Sequence, residues 1–468
     1  MIKTKKKKTN KTNKTNKTNK TNKTNKTKKS IKKKDISYYN KVPKLLEVNG
    51  YKLLILPRKS KITLVECMLF GGFYFEKKET SGISHILEHV LTDAWKKCKL
   101  KSCSVFWEKY GVKSNAHTSI STNRYWIKGL SDFFDNMLEY IVETMINPKF
   151  TESDVKREKN AVENELNEYL NKPSWKLEDK VCKELYTVEG MQYSNDEQQQ
   201  LDILKTLTRK KLQDHFNEFY TKNNILFIIS TGIDKAEVLR KFKILTNNCK
   251  KVNHCSYKIS KSGCFQNNKK IFYIKNTESK NTNIKLCFPL DLYINEEDYY
   301  HLSMVSSILS GGLTSLLLSV LREKLNLVYG ASCFPVTNMC GTVVYISVST
   351  LDKNIKKVIE KIFEICKLYS KKLISSNKLS QVKRKYKMGI YQANLNSVNA
   401  VRDFYAGQFL YQLNNKNRKI ITLKEKNKKV NSLTKEKTRQ IIKKIFDTKN
   451  CLIVYQGKKE IQFDMNKI

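Results

Sequence analysis

One stretch of the chain occurs twice. A Thr-Lys-Asn triplet stands at residues 221–223 and again at 448–450, which is 227 residues later. Each triplet follows a helical pattern and is followed by a short apolar run, at 225–229 and at 451–455, and then by a glycine. A chain of 468 residues is also longer than one hydrophobic core usually serves. The repeat therefore predicts two similar folding units of about 220 residues each.

Apolar patterns divide each unit into short strands and longer helices. Strands are predicted at 51–57, 62–70, 122–128, 225–229, 284–288 and 343–349, and helices at 132–145, 152–169 and 353–373. The predicted fold class is α+β, with two homologous domains that each pack an antiparallel sheet against helices. We expect the first domain at 45–245, the second at 273–465 and a linker at 246–272.

The first 36 residues are predicted to form a disordered tail. They include six consecutive Thr-Asn-Lys repeats at 9–26, and residues 1–34 carry 16 lysines and no acidic residue. Such a segment cannot bury enough apolar surface to fold. Because the tail supplies 16 of the +45 formal net charge, weak binding to nucleic acid or another polyanion is one hypothesis for it. A solvated tail without a biochemical role is the alternative.

Membrane insertion and secretion are not predicted. No apolar run approaches the roughly 18 residues needed to cross a bilayer, and the opening lysines are followed by threonine and asparagine. We expect a soluble intracellular protein, in the cytoplasm rather than the mitochondrion because the first arginine is Arg58. The 12 cysteines are expected to be reduced thiols. A second metal site at Cys249, His254, Cys255 and Cys264 is a further hypothesis, although their spacing matches no standard zinc module.

A His-x-x-Glu-His motif at 85–89 is the strongest chemical signal in the chain. On a helix, His85 and His89 are one turn apart, and Glu88 lies about 60° to the other side of His85. The three side chains then share one face. Two neutral imidazoles beside a carboxylate suit Zn²⁺, and this order is the inverted form of the zinc-peptidase helix. Two histidines that only pack in a core would be the alternative, but the chain has only six histidines.

A catalytic zinc site needs a third protein ligand and an open position for water. The acidic helix predicted at 152–169 offers Glu158, Glu163, Glu165 and Glu168. Glu158 and Glu165 are seven residues apart and so share one face, whereas Glu163 points away from them. The spacing alone does not decide between Glu158 and Glu165.

These motifs resemble those of the inverted zincins, the family of pitrilysin, insulysin and the mitochondrial processing peptidases. Glu158 and Glu165 are similar to the family's Glu-x6-Glu pair, whose second member binds zinc, and Glu165 follows His89 by 76 residues. Asn-Ala-His-Thr at 115–118 resembles the family's Asn-Ala-x-Thr edge-strand motif. The segment 321–329 is similar to its Leu-Arg-Glu…Tyr signature. The likeness extends over about residues 45–460.

The resemblance implies a role for each matched residue of the first domain. His85, His89 and Glu165 would bind one Zn²⁺ per chain, Glu88 would be the general base, and Glu158 would orient a ligand. The strand that contains Asn115 and Ala116 would bind the peptide substrate. His117 departs from the family, since an apolar or small residue is expected there, so the pocket beside it would be altered.

In the second domain, the resemblance implies that Arg322 holds a substrate carbonyl and Tyr329 stabilises the oxyanion. The family fold implies that the two domains form half of a clamshell chamber, so a homodimer or a heterodimer with a family partner is expected. The predicted function is that of a zinc metalloendopeptidase. Two alternatives remain open: a catalytically silent interaction subunit of the same fold, and a polyanion-binding protein that uses the basic tail.

Overall fold

The computed structural model describes residues 40–98, 102–247, 263–266, 270–278, 281–292, 297–396, 398–414, 419–446 and 450–463. The predicted tail at 1–36, most of the predicted linker at 246–272, and Cys249, His254 and Cys255 lie outside these residues. Within the described ranges, no helix is both long and apolar enough to cross a membrane.

Eleven strands and sixteen α-helices are formed by the described residues. The strands are β1 (Leu45–Val48), β2 (Tyr51–Pro57), β3 (Ile62–Phe70), β4 (Lys113–Thr118), β5 (Thr122–Leu130), β6 (Ile225–Thr231), β7 (Lys270–Lys275), β8 (Thr282–Leu290), β9 (Val328–Asn338), β10 (Gly341–Thr350) and β11 (Leu452–Gly457). The helices are α1 (Ile83–Thr92), α2 (Cys103–Glu108), α3 (Phe134–Ile146), α4 (Glu152–Leu170), α5 (Pro173–Leu185), α6 (Glu189–Gln192), α7 (Glu197–Thr206), α8 (Arg209–Phe219), α9 (Lys235–Thr246), α10 (Glu297–Ser310), α11 (Leu316–Leu321), α12 (Ile355–Lys371), α13 (Ser376–Asn396), α14 (Val398–Asn414), α15 (Leu423–Ser432) and α16 (Lys435–Ile445).

The strands form two sheets with the same plan. The first has the order β1-β2-β6-β3-β5-β4, and the second has the order β7-β11-β8-β10-β9. From β2 and β7 onward the two orders correspond strand for strand. The pairs β2 with β6 and β7 with β11 are parallel, and all the other pairs are antiparallel. The α+β class is confirmed, but each sheet is mixed rather than wholly antiparallel as expected.

The parallel pair arises because the last strand of each unit, β6 or β11, lies beside a strand from the beginning of that unit, β2 or β7. Long helical stretches separate β2 from β6 and β7 from β11, and a parallel pair requires such a crossover. An apolar run indicates a buried strand but not its direction. The sequence predicted β2, β6 and β11 but not β7, which begins inside the predicted linker. The expected antiparallel pairing is wrong for these two pairs.

Both faces of each sheet are covered. On β3, Val65, Cys67 and Leu69 join the core that is formed with α1 and α3. The alternate residues Met68 and Phe70 join a second apolar cluster, to which strands of both sheets contribute. A strand that is buried on both faces is apolar along most of its length, which explains why seven of the nine residues of β3 are apolar and only Thr63 and Glu66 are polar.

Each unit also contributes one helix to the other unit's sheet. Helix α5 comes from the first half of the chain and packs on β11, whereas α14 comes from the second half and packs on β3 and β6. Leu177 and Val181 of α5 lie in the shared cluster together with Tyr405 and Phe409 of α14. This exchange joins the two sheets through buried apolar contacts.

A buried ion network holds α14 against the first sheet. The carboxylate of Glu66 on β3 is fully buried and lies 2.7 Å from Arg124 Nε and 3.2 Å from Arg402 Nη1. Arg124 also donates to Asp403 at 3.0 Å. Burial raises the pKa of Glu66 against the opposing attraction of both guanidinium groups. Removing one arginine would leave a poorly compensated buried charge, which is costly.

One pair of cysteines departs from the sequence prediction. Cys98 and Cys103 form a disulfide, so the expectation that all cysteines are reduced is wrong for this pair. They are five residues apart, and no standard motif marks them. The other cysteines in the described part of the chain are all buried: Cys67, Cys182, Cys264, Cys287, Cys333, Cys340, Cys366 and Cys451.

Candidate metal centre and active site

Helix α1 begins at a buried carboxylate. Gly82 precedes the helix with a φ of 85°, a conformation that favours glycine. The Glu76 carboxylate accepts hydrogen bonds from the backbone N–H groups of Gly82 at 2.7 Å and Ser84 at 2.9 Å. Burial raises the pKa of Glu76 to about 7 against these bonds. A side chain outside the helix therefore determines where α1 starts and which way it points.

The two faces of α1 differ as the helical spacing predicts. Ile86, Leu87 and Val90 are buried in the core. His85 and His89 lie on the other face, where they line a cavity and their ring centroids are 5.0 Å apart. The apolar face thus anchors the helix, and the polar face presents two imidazoles to solvent.

Helix α4 brings a carboxylate to these imidazoles. Its start is capped by Thr151 and Asp154, whose side chains each bond the other's backbone N–H, and the helix packs against α1. Glu165 Oε2 lies 3.6 Å from His85 Nε2 and 3.5 Å from His89 Nε2. Of the two glutamates that the spacing left open, Glu165 is the one that faces both histidines.

Glu158 lies on the same face of α4 but contacts only one histidine. Its Oε2 is 3.7 Å from His89 Nδ1, and its Oε1 accepts a hydrogen bond from Arg157 Nε at 2.8 Å. His89 therefore has Glu165 at one ring nitrogen and Glu158 at the other. This is how a carboxylate orients a metal-binding histidine. The carboxylate of Glu168 is exposed.

The three potential ligand atoms suit a small tetrahedral cation. The Nε2 atoms of His85 and His89 and Oε2 of Glu165 belong to a group whose ligand atoms all lie within 4.8 Å of one another. Bonds of about 2.0–2.1 Å at tetrahedral angles place ligands about 3.4 Å apart, and the observed N···O distances are 3.6 and 3.5 Å. Two histidines and a glutamate form a donor set that catalytic zinc sites use. Among the described residues, no other trio of potential ligands meets this distance.

The charges around His89 favour a cation at this place. Burial opposes a charge on His89, but the carboxylates of Glu158 and Glu165 outweigh it and raise its pKa to about 9. Burial, together with nearby His89, lowers the pKa of His85 to about 4. The hydrogen bond from His89 lowers the pKa of Glu165 to about 2. A proton on His89 therefore occupies the place that a metal ion would take.

Glu88 lies beside the potential ligands without being one of them. Its Oε2 accepts a hydrogen bond from the Thr118 hydroxyl at 2.7 Å, and Thr118 Oγ1 accepts one from the Asn123 amide at 2.8 Å. Burial raises the pKa of Glu88. The carboxylate lines the same cavity as the histidines and is suited to accept a proton there.

The cavity has a volume of about 570 Å³, and strand β4 forms one of its walls. Among the described residues this strand is the last in its sheet, so no described strand pairs with its outer edge. Asn115, Ala116 and Thr118 line the cavity, as the motif predicts for a substrate-binding strand. His117 also lines it, and burial together with Arg124 lowers the pKa of His117.

Arg322 and Tyr329 are not among the residues that line this cavity. Arg322 follows α11, and Tyr329 is the second residue of β9. The Arg322 guanidinium carbon lies 5.4 Å from the centre of the Tyr329 ring, and Tyr329 is 87% exposed. The two halves of the predicted site are therefore not brought together within one chain.

Two family models match the sequence. The model described as Insulinase (Peptidase family M16) matches residues 58–195, and the model described as Peptidase M16 inactive domain matches residues 206–386. Together they cover more than half of the chain. The chain belongs to peptidase family M16. The resemblance drawn from the motifs is thereby confirmed.

Curated relatives within family M16 carry protease names. An uncharacterized zinc protease of Rickettsia felis is 24% identical over 334 residues, which are 68% of this chain and 78% of the relative. The uncharacterized zinc protease YmxG of Bacillus subtilis is 22% identical over 70% of this chain and 78% of its own length. A probable mitochondrial-processing peptidase subunit beta of Arabidopsis thaliana is 24% identical over 40% of this chain and 35% of its own length.

Solved structures share the fold of this M16 chain. A protease from Helicobacter pylori superposes with a TM-score of 0.78 at 19% identity, over 90% of this chain and all of the other. A peptidase M16 inactive domain from Pseudomonas fluorescens gives a TM-score of 0.77 at 16% identity, over 90% of this chain and 99% of the other. At these identities the likeness concerns the fold alone.

Several residues around the centre were given no role by sequence reasoning. Thr118 bonds to Glu88, Glu76 caps α1, and Tyr169 bonds to Glu165. Tyr169 follows Glu165 by four residues, so helical spacing could have indicated that contact. No local pattern points from Glu76 to α1 or from Thr118 to Glu88, because those contacts depend on how a loop and a strand pack against the helix.

Proposed function

We propose that this member of family M16 is a zinc metallopeptidase that hydrolyses peptide bonds of flexible peptides or unfolded chain termini. His85, His89 and Glu165 would hold one Zn²⁺. The observation that carries the proposal is the convergence of two imidazole Nε2 atoms on one oxygen of Glu165, at 3.6 and 3.5 Å, with Glu88 beside them.

The chemistry divides between the ion and the chain. When bound, Zn²⁺ supplies Lewis-acid activation of a water molecule and of the scissile carbonyl. Glu88 accepts the proton of the attacking water and later passes it to the leaving amine. The Thr118 hydroxyl holds one oxygen of Glu88 in place, so the proton is taken up at a defined position.

The substrate would bind as an added strand along the open edge of β4. Backbone hydrogen bonds to an edge strand supply affinity and tolerate varied side chains. Asn115 and Ala116 lie on this edge and line the cavity. An extended conformation is available to a flexible peptide or an unfolded terminus, whereas a folded protein would first have to unfold.

Three further residues complete the proposal. Glu158 would orient His89 through Nδ1. Arg322 would hold a substrate carbonyl and Tyr329 would stabilise the oxyanion. Because neither of these two residues lines the cavity of its own chain, a second chain would supply them. That chain would be another copy in a homodimer or a family partner in a heterodimer.

The alternative function is that of a catalytically silent interaction subunit with the same fold. Such a subunit needs neither three ligands nor a base. In this chain, two histidines and Glu165 line one cavity together with Glu88, whose carboxylate is hydrogen-bonded to Thr118. The names of the curated relatives as zinc proteases also favour the peptidase.

Peptide profiling tests the proposal. The purified protein, with and without a zinc chelator, is incubated with a library of unstructured peptides, and new termini are identified by mass spectrometry. Chelator-sensitive cleavage is expected. The Glu88→Gln variant should keep one zinc per chain and lose cleavage, because Glu88 lies beside the ligands. Absence of cleavage by zinc-loaded wild type, or near-normal turnover by Glu88→Gln, would contradict the proposal.

A further inference from the structure

A tyrosine side chain binds the Glu165 carboxylate through the oxygen that does not face the histidines. Tyr169 follows Glu165 by one helical turn on α4, and its hydroxyl donates a hydrogen bond to Glu165 Oε1. The oxygen that lies near both imidazoles is the other one, Oε2. One oxygen of Glu165 thus faces the histidines while the second is engaged by Tyr169.

The ring of Tyr169 is itself supported. It stacks on Trp175 with ring centroids 4.3 Å apart and an interplanar angle of 22°. The Lys172 ammonium group lies 5.0 Å from the centre of the Tyr169 ring. Both aromatic rings line the cavity. Trp175 lies in the first turn of α5, and α5 packs on β11 of the second sheet. The support of Glu165 therefore reaches across to the other half of the chain.

We propose that Tyr169 is a positioning residue that makes Glu165 a one-oxygen ligand, and that Trp175 keeps the tyrosine ring in place. This inference rests on the proposed function, because it concerns the same metal centre. A carboxylate can bind a metal through one oxygen or through both. A donor on Oε1 keeps that oxygen away from the ion and orders Oε2 toward it, so less conformational freedom is lost on binding. Such outer partners typically change metal affinity by about 10–100-fold.

The test compares wild type, Tyr169→Phe, Trp175→Leu and the control Glu163→Gln, which changes an exposed carboxylate on the same helix. Zinc affinity is measured by chelator competition, and the Co²⁺-substituted proteins are examined by visible absorption. Tyr169→Phe keeps the stacked ring and removes only the hydroxyl, so the fold should be retained. Its zinc affinity should fall by about 10–100-fold. Its Co²⁺ bands should weaken, because the freed Oε1 can raise the coordination number.

The outcomes separate this inference from the proposed function. Trp175→Leu should shift affinity and spectrum in the same direction as Tyr169→Phe but less, and Glu163→Gln should match wild type. If Tyr169→Phe matched wild type in zinc affinity and in the Co²⁺ spectrum, the positioning role would be overturned while the zinc site stood. If wild type bound no zinc, the proposed function and this inference would fall together.

Discussion

At the scale of single residues, the orientation of the His89 ring is fixed by two glutamates. Its Nε2 faces Glu165 and its Nδ1 faces Glu158, so the two ring nitrogens have different partners. A metal bound at Nε2 would leave Nδ1 to donate to Glu158, which settles the tautomer. The two glutamates are therefore expected to differ in function although they lie on one face of the same helix.

Substitution of each glutamate tests this difference. Glu165→Gln should release zinc, because it replaces the charged oxygen that faces both histidines. Glu158→Gln should weaken zinc binding by about 10–100-fold, because it only removes the orienting partner of His89. Metal analysis after dialysis and chelator competition measure both effects, and Glu163→Gln on the exposed face of α4 is the control. The reverse order would mean that the roles of the two glutamates are exchanged.

Zinc affinity should also depend on pH with a definite sign. In the metal-free protein the pKa of His89 is about 9, that of His85 is about 4 and that of Glu165 is about 2. Between pH 6 and 8 only His89 carries a proton that zinc must displace. The apparent Kd should therefore rise about tenfold for each unit by which pH falls. Chelator competition at three pH values measures the slope, and a Kd independent of pH would contradict the protonation state assigned to His89.

At the scale of elements, α1 and the edge strand β4 make the centre. The ten residues of α1 are too few for a stable isolated helix, so its position depends on its buried face and on the Glu76 cap. Strand β4 contributes Thr118 to Glu88 on α1. A displacement of β4 would break the hydrogen bond that holds Glu88, and a displacement of α1 would move His85 and His89 away from Glu165 on α4.

Because Glu76 caps α1, the conservative substitution Glu76→Gln is expected to lower the stability of the protein. Both oxygens of Glu76 accept backbone N–H groups. In Glu76→Gln one oxygen becomes an amide group that cannot accept, so one buried N–H loses its partner at a cost of about 1–3 kcal/mol. The thermal midpoint should fall by about 1–3 °C, whereas Glu79→Gln at an exposed neighbouring position should not change it. Equal midpoints in calorimetry would show that the cap contributes little.

At the scale of the whole molecule, the two halves depend on each other. Helices α5 and α14 each cover the other half's sheet, and Glu66, Arg124 and Arg402 join them by buried charges. Yet Arg322 and Tyr329 remain away from the cavity. The exposed Tyr329 on an open sheet edge fits a residue that serves a neighbouring chain.

Mixing two inactive variants tests whether the site is shared. Glu88→Gln and Tyr329→Phe are combined under conditions of subunit exchange, and peptidase activity is followed. If Tyr329 serves the partner chain of a two-fold homodimer, a mixed dimer rebuilds one intact site from the unchanged halves. About half of the dimers would be mixed, so activity should climb towards about a quarter of wild type. No recovery, with exchange proven by mass spectrometry, would rule out a site shared in this way.

The sequence predicts those features of the site that arise within one helix, but not those that depend on packing between helices. The motif at 85–89 predicted two histidines and a glutamate on one helical face, and α1 presents them so. The spacing of Glu158 and Glu165 predicted a shared face but not which one meets the imidazoles. Only the packing of α4 against α1 placed Glu165 Oε2 within 3.6 Å of both.

The sequence by itself determined that the chain holds two similar units and that His85, Glu88 and His89 share one face of α1, because apolar periodicity and residue spacing act within one strand or one helical turn. The tertiary structure alone decided that β2 and β6 lie parallel, that Glu76 caps α1, and that α5 and α14 are exchanged between the sheets. Such contacts join segments that are distant in the chain. Their energy depends on the whole packed arrangement, and no local pattern specifies it.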